Sequence, residues 1–321
     1  MKSFNSILYL VENPATEPPA AVARVVSLAE NNQARLTVLH VSEEPRLGPF
    51  SGRIAPDDLR SRLRQQVNEQ LSGLLREAGR QGEDVIDVRF GTVFVEAIRE
   101  VLRNGHDLVI KSVGEGGPHS FLFGGTDQHL LRKCPCPVWV MVGETSDNYR
   151  NILAAVDFDP WAEDADEGDL NRQILDIAGT LAVTDFAQLH VVHAWESITD
   201  NMIRVFGSEL SDRDAEANRD QERREHQARL DILNRRMQQH FGGEAHSYLA
   251  PKFHLRKGAA RDVIPVLADE LEADLVVMGT VSRTGIPGLL IGNTAEVILN
   301  NLECSVLAVK PPGFVTPVTL E

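Results

Sequence analysis

The chain has 321 residues, of which 42% are apolar and 25% are charged, and its formal net charge is −15. This composition is typical of a folded globular protein and excludes disorder, collagen and coiled coil. The longest apolar runs, such as residues 136–142, have the length of strands, so we expect no membrane span. Strong negative charge without a basic stripe also argues against nucleic-acid binding, because Lys and Arg supply most of the affinity for phosphates.

The N-terminal residues contain no basic leader, no long apolar stretch and no small-residue cleavage site. We therefore expect a cytoplasmic protein. Cys134 and Cys136 stand one residue apart, a spacing that is not a zinc signature, and we expect both to be small core residues. His40 and His193 occupy matching positions in the repeated pattern described next, and we expect core or switch-point histidines rather than ligands there.

In chain order, four segments of the first half recur in the second. The pairs are 7–14 with 152–160, 36–41 with 189–194, 105–110 with 272–277, and 124–138 with 292–306. Such self-similarity indicates a duplicated unit. At roughly 150 residues per domain, the chain divides into a first domain at 1–147 and a second at 148–321.

Within each copy, short β-branched runs alternate with helical stretches, the pattern of βαβ units in an α/β fold. We predict two tandem doubly wound domains, each with a five-stranded parallel sheet of order 3-2-1-4-5. The predicted strands of the second copy are 152–157, 188–194, 252–256, 274–279 and 305–309. Its predicted helices are about 169–183, 212–241, 260–272 and 293–302, and we expect the charged 212–241 helix to be a solvated cover.

A doubly wound sheet binds ligands outside the carboxyl ends of its strands, where the strand order reverses. In the second copy this point falls after strands 1 and 4, at Asp157 and at residues 279–294. Glycines, hydroxyl residues and a helix that begins near Asn293 would present backbone N–H groups suited to phosphate. Asp157 could accept hydrogen bonds from a ribose or position a metal ion. The pattern therefore favours a nucleotide.

The motifs Met278-Gly279-Thr280, Arg283-Thr284-Gly285 and 290–296, with 127–135 and the tail 316–318, resemble the universal stress proteins, in particular the tandem E type. In nucleotide-binding members, an Asp ends strand 1, and GxxG, nine residues and G-Ser/Thr follow strand 4. The resemblance implies ATP or ADP as ligand, with or without Mg²⁺. The nucleotide-binding residues that it implies are Asp157, Ala194, Gly279, Ser282, Arg283, Gly285, Gly292, Asn293 and Thr294.

The second copy departs from the fingerprint at two positions. Ser282 replaces the second Gly, where backbone must approach phosphate closely, and Asn293 replaces Ser or Thr but can still cap a helix. In the first copy we match Lys111, Gly114, Gly124 and Gly125 to the fingerprint, with Glu12 in place of the Asp. We therefore predict a degenerate first site and a nucleotide site in the second copy.

The acidic excess lies in the second copy. Seven carboxylates follow its first strand, at Asp157, Asp159, Glu163, Asp164, Asp166, Glu167 and Asp169. Each repulsion between a carboxylate and a phosphate about 4 Å apart costs about 1 kcal/mol in water. A triphosphate would need Mg²⁺ or Arg283 to offset this repulsion. The alternative is that the loop is a solvated acidic surface that meets no ligand.

The sequence thus supports a stress-response module that binds adenine nucleotide in the second domain and is either not an enzyme or only a weak ATPase. The alternative is an interaction or scaffold protein with a degenerate or apolar-ligand pocket. The fifth strands, at 137–142 and 305–309, are apolar edges that need cover. We expect them to pair the two domains into an intramolecular pseudo-dimer, and two such chains could form a homodimer.

Overall fold

The computed structural model describes residues 4–44, 56–80, 85–113, 125–142, 148–161, 169–207, 211–280 and 291–320. In the first half, strands and helices alternate along the chain. They are β1 (Ser6–Leu10), α1 (Pro19–Asn32), β2 (Arg35–Ser42), α2 (Pro56–Glu77), β3 (Val85–Phe90), α3 (Val93–Asn104), β4 (Leu108–Val113), α4 (Gly125–Lys133) and β5 (Val138–Val142).

The second half repeats this order and adds two short helices. Its elements are β6 (Asn151–Ala155), α5 (Asp169–Asp185), β7 (Gln188–Trp195), α6 (Ile198–Phe206), α7 (Asp212–Phe241), α8 (Gly243–Leu249), β8 (Lys252–Lys257), α9 (Ala260–Glu270), β9 (Leu275–Gly279), α10 (Asn293–Asn301) and β10 (Ser305–Val309). The predicted strands and helices are present, with ends that shift by up to two residues. The sequence reading missed α6 and α8, whose lengths of nine and seven residues are too short for a clear helical period.

The ten strands of the described residues form one sheet, in the order β3-β2-β1-β4-β5-β10-β9-β6-β7-β8. Within each half the neighbours are parallel and follow the predicted order 3-2-1-4-5. The halves meet where β5 and β10 pair antiparallel, with Val306 opposite Val140 and Ala308 opposite Val138. The two apolar strand-5 edges that need cover therefore cover each other.

Helices on both faces of the sheet bury its side chains, and the central strands are mostly apolar. All five residues of β10 are buried, and adjacent residues such as Val276 and Val277 belong to apolar clusters on opposite faces. Each of the two clusters contains residues from both halves, for example Tyr9 with Val277 and Val109 with Val276. Burial on both faces is the expected environment of a parallel sheet with crossover helices.

Polar contacts fix the junction between the halves. The Tyr149 hydroxyl donates to Ser305 Oγ at 3.0 Å, and Ser305 Oγ also accepts the backbone N–H of Val142 at 3.1 Å. On α4, Arg132 forms an ion pair of 2.5 Å with Glu296 of α10. No helix within the described ranges is long and apolar enough to cross a membrane.

Candidate functional site

A cavity of about 440 Å³ lies at the carboxyl ends of β6 and β9 in the second half. Helix α5 borders it on one face of the sheet, and α9 and α10 border it on the other. This is the point where the strand order reverses, because β6 has β9 on one side and β7 on the other. The volume is within the usual range of small-molecule sites, about 300–1,000 Å³.

Asp157 is an exposed residue at the mouth of this cavity, two residues past the end of β6. Asn171, a buried residue near the start of α5, holds the Asp157 backbone from both sides. The Asp157 N–H donates to Asn171 Oδ1 at 3.1 Å, and Asn171 Nδ2 donates to the Asp157 carbonyl at 2.8 Å. One amide side chain therefore fixes the direction in which the Asp157 carboxylate leaves the strand.

In both halves, the histidine repeated in strand 2 contacts the backbone at the end of strand 1. His193 Nδ1 is 3.3 Å from the Val156 carbonyl oxygen, and His40 Nδ1 is 2.8 Å from the Val11 carbonyl oxygen. Both histidines are buried, and the ring of Phe158 stacks on His193 at 3.7 Å between centroids. The expectation of core histidines is confirmed: they hold the end of strand 1 through its backbone.

The opposite wall of the cavity is polar backbone. The N–H of Gly292 donates to the Thr280 carbonyl at 2.9 Å, which joins the end of β9 to the start of α10. Helix α10 begins directly after Gly292, and no side chain of the described residues caps it. The first N–H groups of a helix have no intrahelical acceptor and carry the positive end of its dipole. Asn293 and Thr294 therefore bring an anion-attracting helix end to the cavity.

The remaining lining is apolar. Leu170 lies over Gly279, where an added Cβ would be 2.9 Å from Leu170 Cδ2. Small residues at Ala155 and Ala194 leave open space between the strands and the helices. The other apolar lining residues are Val156, Ile174, Ala260, Ile264, Met278, Ala295 and Ile298. An apolar slot beside a few polar groups is typical of a site for a flat heterocycle with a polar substituent.

Six of the nine predicted site residues line this cavity: Asp157, Ala194, Gly279, Gly292, Asn293 and Thr294. Ser282, Arg283 and Gly285 lie outside the described residues. Of the seven predicted loop carboxylates, the structure describes the side chains of Asp157 and Asp159, and both residues are exposed. The role of each residue in ligand binding stays a prediction.

The strand register corrects one match made from the sequence. Lys111 pairs with Leu10 as Met278 pairs with Ala155, so Lys111 is the counterpart of Met278 rather than of Gly279. The counterpart of Gly279 is Ser112. The sequence match was wrong because the first half has one residue fewer than the second between strand 4 and the following helix. The fingerprint has a fixed spacing, and when it is counted back from that helix it therefore falls on Lys111 instead of Ser112.

Charged side chains occupy the corresponding place in the first half. Lys111 is buried, and its Nζ lies 2.6 Å from Asp127 Oδ1 and 3.3 Å from Glu12 Oε2. Asp127 is also buried and is the counterpart of Ala295 in the cavity wall, and burial raises the pKa of its carboxyl. The internal ion pair thus stands where the second half has the methyl group of Ala295 and the thioether of Met278.

A second cluster of polar side chains lies next to this ion pair in the first half. Glu17 Oε1 accepts hydrogen bonds from the Tyr9 and Ser112 hydroxyls, and burial raises the pKa of Glu17. Tyr9 is buried and stands where the second half has Ala154. The first-half counterpart of the site is therefore filled by side chains that interact with one another.

The cysteines are core residues, as expected. Cys134 and Cys136 are buried, with their sulfur atoms 3.6 Å apart. The part of the chain that the structure describes contains no cluster of three or more His, Cys, Asp or Glu suited to a metal ion. Sequence reasoning missed three residues that shape the second-half site, namely Asn171, Thr280 and Lys310. Thr280 belongs to the Met278-Gly279-Thr280 motif, whereas the other two carry no local signal because tertiary contacts alone bring them to the site.

Comparisons with known proteins agree with the fold. The family model described as the universal stress protein family matches residues 3–141 and 148–310. Universal stress protein E of Escherichia coli K12 is 32% identical over 276 residues, which are 84% of this chain and 82% of that protein. The universal stress protein E homolog of Haemophilus influenzae is 31% identical over 319 residues, which are 96% of this chain and 98% of that protein.

Solved structures share the tandem architecture. A protein of unknown function from Pseudomonas aeruginosa PAO1 superposes with a TM-score of 0.63 at 26% identity, over 96% of this chain and 93% of that one. A universal stress protein from Archaeoglobus fulgidus superposes with a TM-score of 0.62 at 16% identity, over 95% of this chain and 98% of that one, a likeness of fold. With two family matches that together span most of its length, this chain belongs to the universal stress protein family, in its tandem, E-type form.

Proposed function

We propose that the second half binds an adenine nucleotide, ATP or ADP, in the cavity between β6 and β9, and that the chain is a cytoplasmic stress-response module. The observation that carries this proposal is the juxtaposition of Asp157 with the N-terminus of α10 across an apolar slot. A carboxylate suits the hydroxyl groups of a ribose, and a helix N-terminus suits phosphate.

In this proposal the residues divide by chemistry. Asp157 accepts hydrogen bonds from the ribose, and the apolar lining that includes Ala155, Ala194 and Met278 holds the base. The backbone of Gly292, Asn293 and Thr294 faces the phosphates. Ser282, Arg283 and Gly285 belong to the same proposed site by the sequence fingerprint.

Mg²⁺ would arrive with the nucleotide in this proposal. Asp157 and Asp159 are the described carboxylates of the acidic loop. They are not part of a metal-binding cluster of three within the described ranges. A metal ion bound with the phosphates would reduce their repulsion from these carboxylates. Weak ATP hydrolysis and a homodimer of tandem chains stay predictions of the sequence.

The first half is not part of this proposal. Lys111, Asp127 and Tyr9 place polar and bulky side chains where the second half has Met278, Ala295 and Ala154. Opening that space would separate a buried lysine from its carboxylate, which costs several kcal/mol. We therefore expect one nucleotide per chain.

The test is calorimetric titration of the full chain with MgATP, together with mass spectrometry of small molecules released when the freshly purified protein is denatured. We expect one site per chain, and a loss of affinity of at least about tenfold in Asp157→Ala. The matched control is Asp231→Ala, which removes an exposed carboxylate of α7 that does not line the cavity, and we expect less than a twofold change. Absence of both heat and released nucleotide would contradict the proposal.

A further inference from the structure

Lys310 is a buried lysine directly after β10, with a relative exposure of 4%. Its Nζ donates to Thr280 Oγ1 at 2.5 Å and to the carbonyl of Leu131 on α4. The ring of Phe314 lies 5.2 Å from Nζ. The side chain therefore connects the end of the second-half sheet to a helix of the first half, behind the wall of the cavity.

Among the described residues, no carboxylate lies within ion-pair distance of Lys310. Buried ammonium groups are normally paired with a carboxylate, because removal from water destabilises an isolated charge. Lys111 in the first half is paired in this way, since carboxylate oxygens of Asp127 and Glu12 lie within ion-pair distance of its Nζ. Burial lowers the pKa of Lys310 to about 8, in keeping with a site where the positive charge has no such compensation.

Thr280 connects this charge to the cavity. The Thr280 residue is fully buried and belongs to the cavity lining. Its hydroxyl oxygen accepts a hydrogen bond from Lys310 Nζ, and within the described part of the chain the Thr280 O–H group itself has no acceptor. The carbonyl of Thr280 accepts the Gly292 N–H, so this threonine is adjacent to the helix end that borders the cavity.

We propose that Lys310 is the cation that attracts an anionic ligand, of the polyphosphate class, into the second-half cavity, acting through the Thr280 hydroxyl. Lys310 stabilises the orientation in which Thr280 donates toward the ligand and adds positive charge behind it. This attraction opposes the repulsion from Asp157 and Asp159. The identification of the polyphosphate as that of a nucleotide rests on the proposed function, whereas the requirement for an anion rests on Lys310 and Thr280 alone.

A purely structural role would give a different result. If Lys310 only joined α4 to the second half through the Leu131 carbonyl, its loss would weaken every ligand equally or lower stability alone. A role in anion binding requires a loss that depends on the charge of the ligand. Ligands with and without phosphate therefore separate the two roles.

The experiment is calorimetric titration of the full chain with ATP, sodium tripolyphosphate and adenosine, for the wild type, Lys310→Met and Thr280→Val. We expect Lys310→Met to weaken ATP and tripolyphosphate at least tenfold and adenosine less than twofold. Thr280→Val, which keeps the shape of the side chain, is expected to weaken the same two anions by about threefold to tenfold. The control is Lys257→Met, which removes the same charge from an exposed lysine of β8. We expect it to leave the affinities for ATP and tripolyphosphate unchanged.

Thr280→Val carries the test if Lys310→Met does not fold, which thermal unfolding will show. Wild-type binding of ATP that neither variant weakens would overturn the inference and leave the proposed function standing. Equal losses for adenosine and the anions would also overturn it. Binding of tripolyphosphate that depends on Lys310, without binding of ATP, would support the inference and refute the nucleotide. Binding of neither anion would overturn both.

Discussion

Arg24 and Asp185 form a buried ion pair between the two halves, with Arg24 Nη2 2.5 Å from Asp185 Oδ2. Arg24 belongs to α1 and Asp185 ends α5. Tyr149 completes the contact, since its N–H donates to Asp185 Oδ2 at 3.2 Å and its ring lies 3.8 Å from the Arg24 guanidinium carbon. The junction between the halves is therefore polar and specific as well as apolar.

Removal of one partner should strongly destabilise the chain. We expect Arg24→Met to lower the free energy of unfolding by about 3–5 kcal/mol, because it leaves the Asp185 carboxylate buried without its cation. The double variant Arg24→Met/Asp185→Leu should recover much of this loss. Urea unfolding followed by circular dichroism measures both. Arg256→Met breaks an exposed pair with Glu270 and should have little effect, so an equal loss there would contradict the argument.

The ion pair of the first half should matter for stability and not for the ligand. Lys111→Met leaves Asp127 buried and unpaired, and we expect a loss of about 3–5 kcal/mol in the free energy of unfolding. The affinity of the folded variant for MgATP should stay within twofold of the wild type, because the cavity of the second half is untouched. Calorimetry at a temperature well below unfolding provides the measurement. A large loss of affinity would place a nucleotide in the first half.

Asn171 should act on binding through the position of Asp157. In Asn171→Ala the Asp157 N–H and carbonyl lose their side-chain partner, and we expect an affinity for MgATP lower by about tenfold. The loss of two hydrogen bonds should also reduce the free energy of unfolding by about 1–3 kcal/mol. Adding Asp157→Ala to Asn171→Ala should then produce little further loss of affinity. Additive losses would show that Asn171 acts independently.

Stability should fall between about pH 6.5 and pH 4 in part because of His190. Burial, with the nearby His254, lowers the pKa of His190 to about 4, and His190 Nδ1 lies 2.9 Å from His254 Nε2. The unfolded chain, with an ordinary histidine pKa of about 6.5, binds more protons in this range, so the free energy of unfolding rises with pH.

The comparison is between His190→Leu and the wild type in urea unfolding at pH 4.5, 5.5 and 7. The variant should show a smaller dependence on pH. The control is Gln188→Leu, which removes a polar, non-titratable side chain of the same strand that donates to the Ala250 carbonyl at 3.1 Å, and its pH dependence should match the wild type. Identical slopes for all three proteins would exclude His190 as a cause.

The extent to which the fold could be predicted depends on how local the signal is. Residues 305–309 and 212–241 were placed correctly because a run of apolar residues and a long charged helix are visible within one element. The match of Lys111 to Gly279 was wrong because register depends on loop length, which the fixed spacing of a motif concealed. The strand order 3-2-1-4-5 agrees with the prediction, but the alternation of elements alone allows other doubly wound orders, so this part of the prediction came from the resemblance to the family.

The location of the site was predicted, but the residues that position its lining were not. Asp157 and Gly292 were found because the ends of strands 1 and 4 of a doubly wound sheet are known to meet. Asn171 and Lys310 could not be found in this way. Asn171 acts 14 residues from Asp157, and Lys310 reaches Thr280 from 30 residues away and Leu131 from 179, so that only the folded chain brings them to the site.

The antiparallel pairing of β5 with β10 also limits how whole chains can associate. The strand-5 edge of each half pairs with that of the other half, and in the part of the chain that the structure describes β3 and β8 are the outermost strands of the sheet. Both strands contain charged residues, with Asp87 and Arg89 on β3 and Lys252 and Arg256 on β8. Charged side chains on an edge strand discourage the addition of a further strand. The described sheet therefore tends not to extend beyond one chain, and we expect any larger assembly to form through helices or loops.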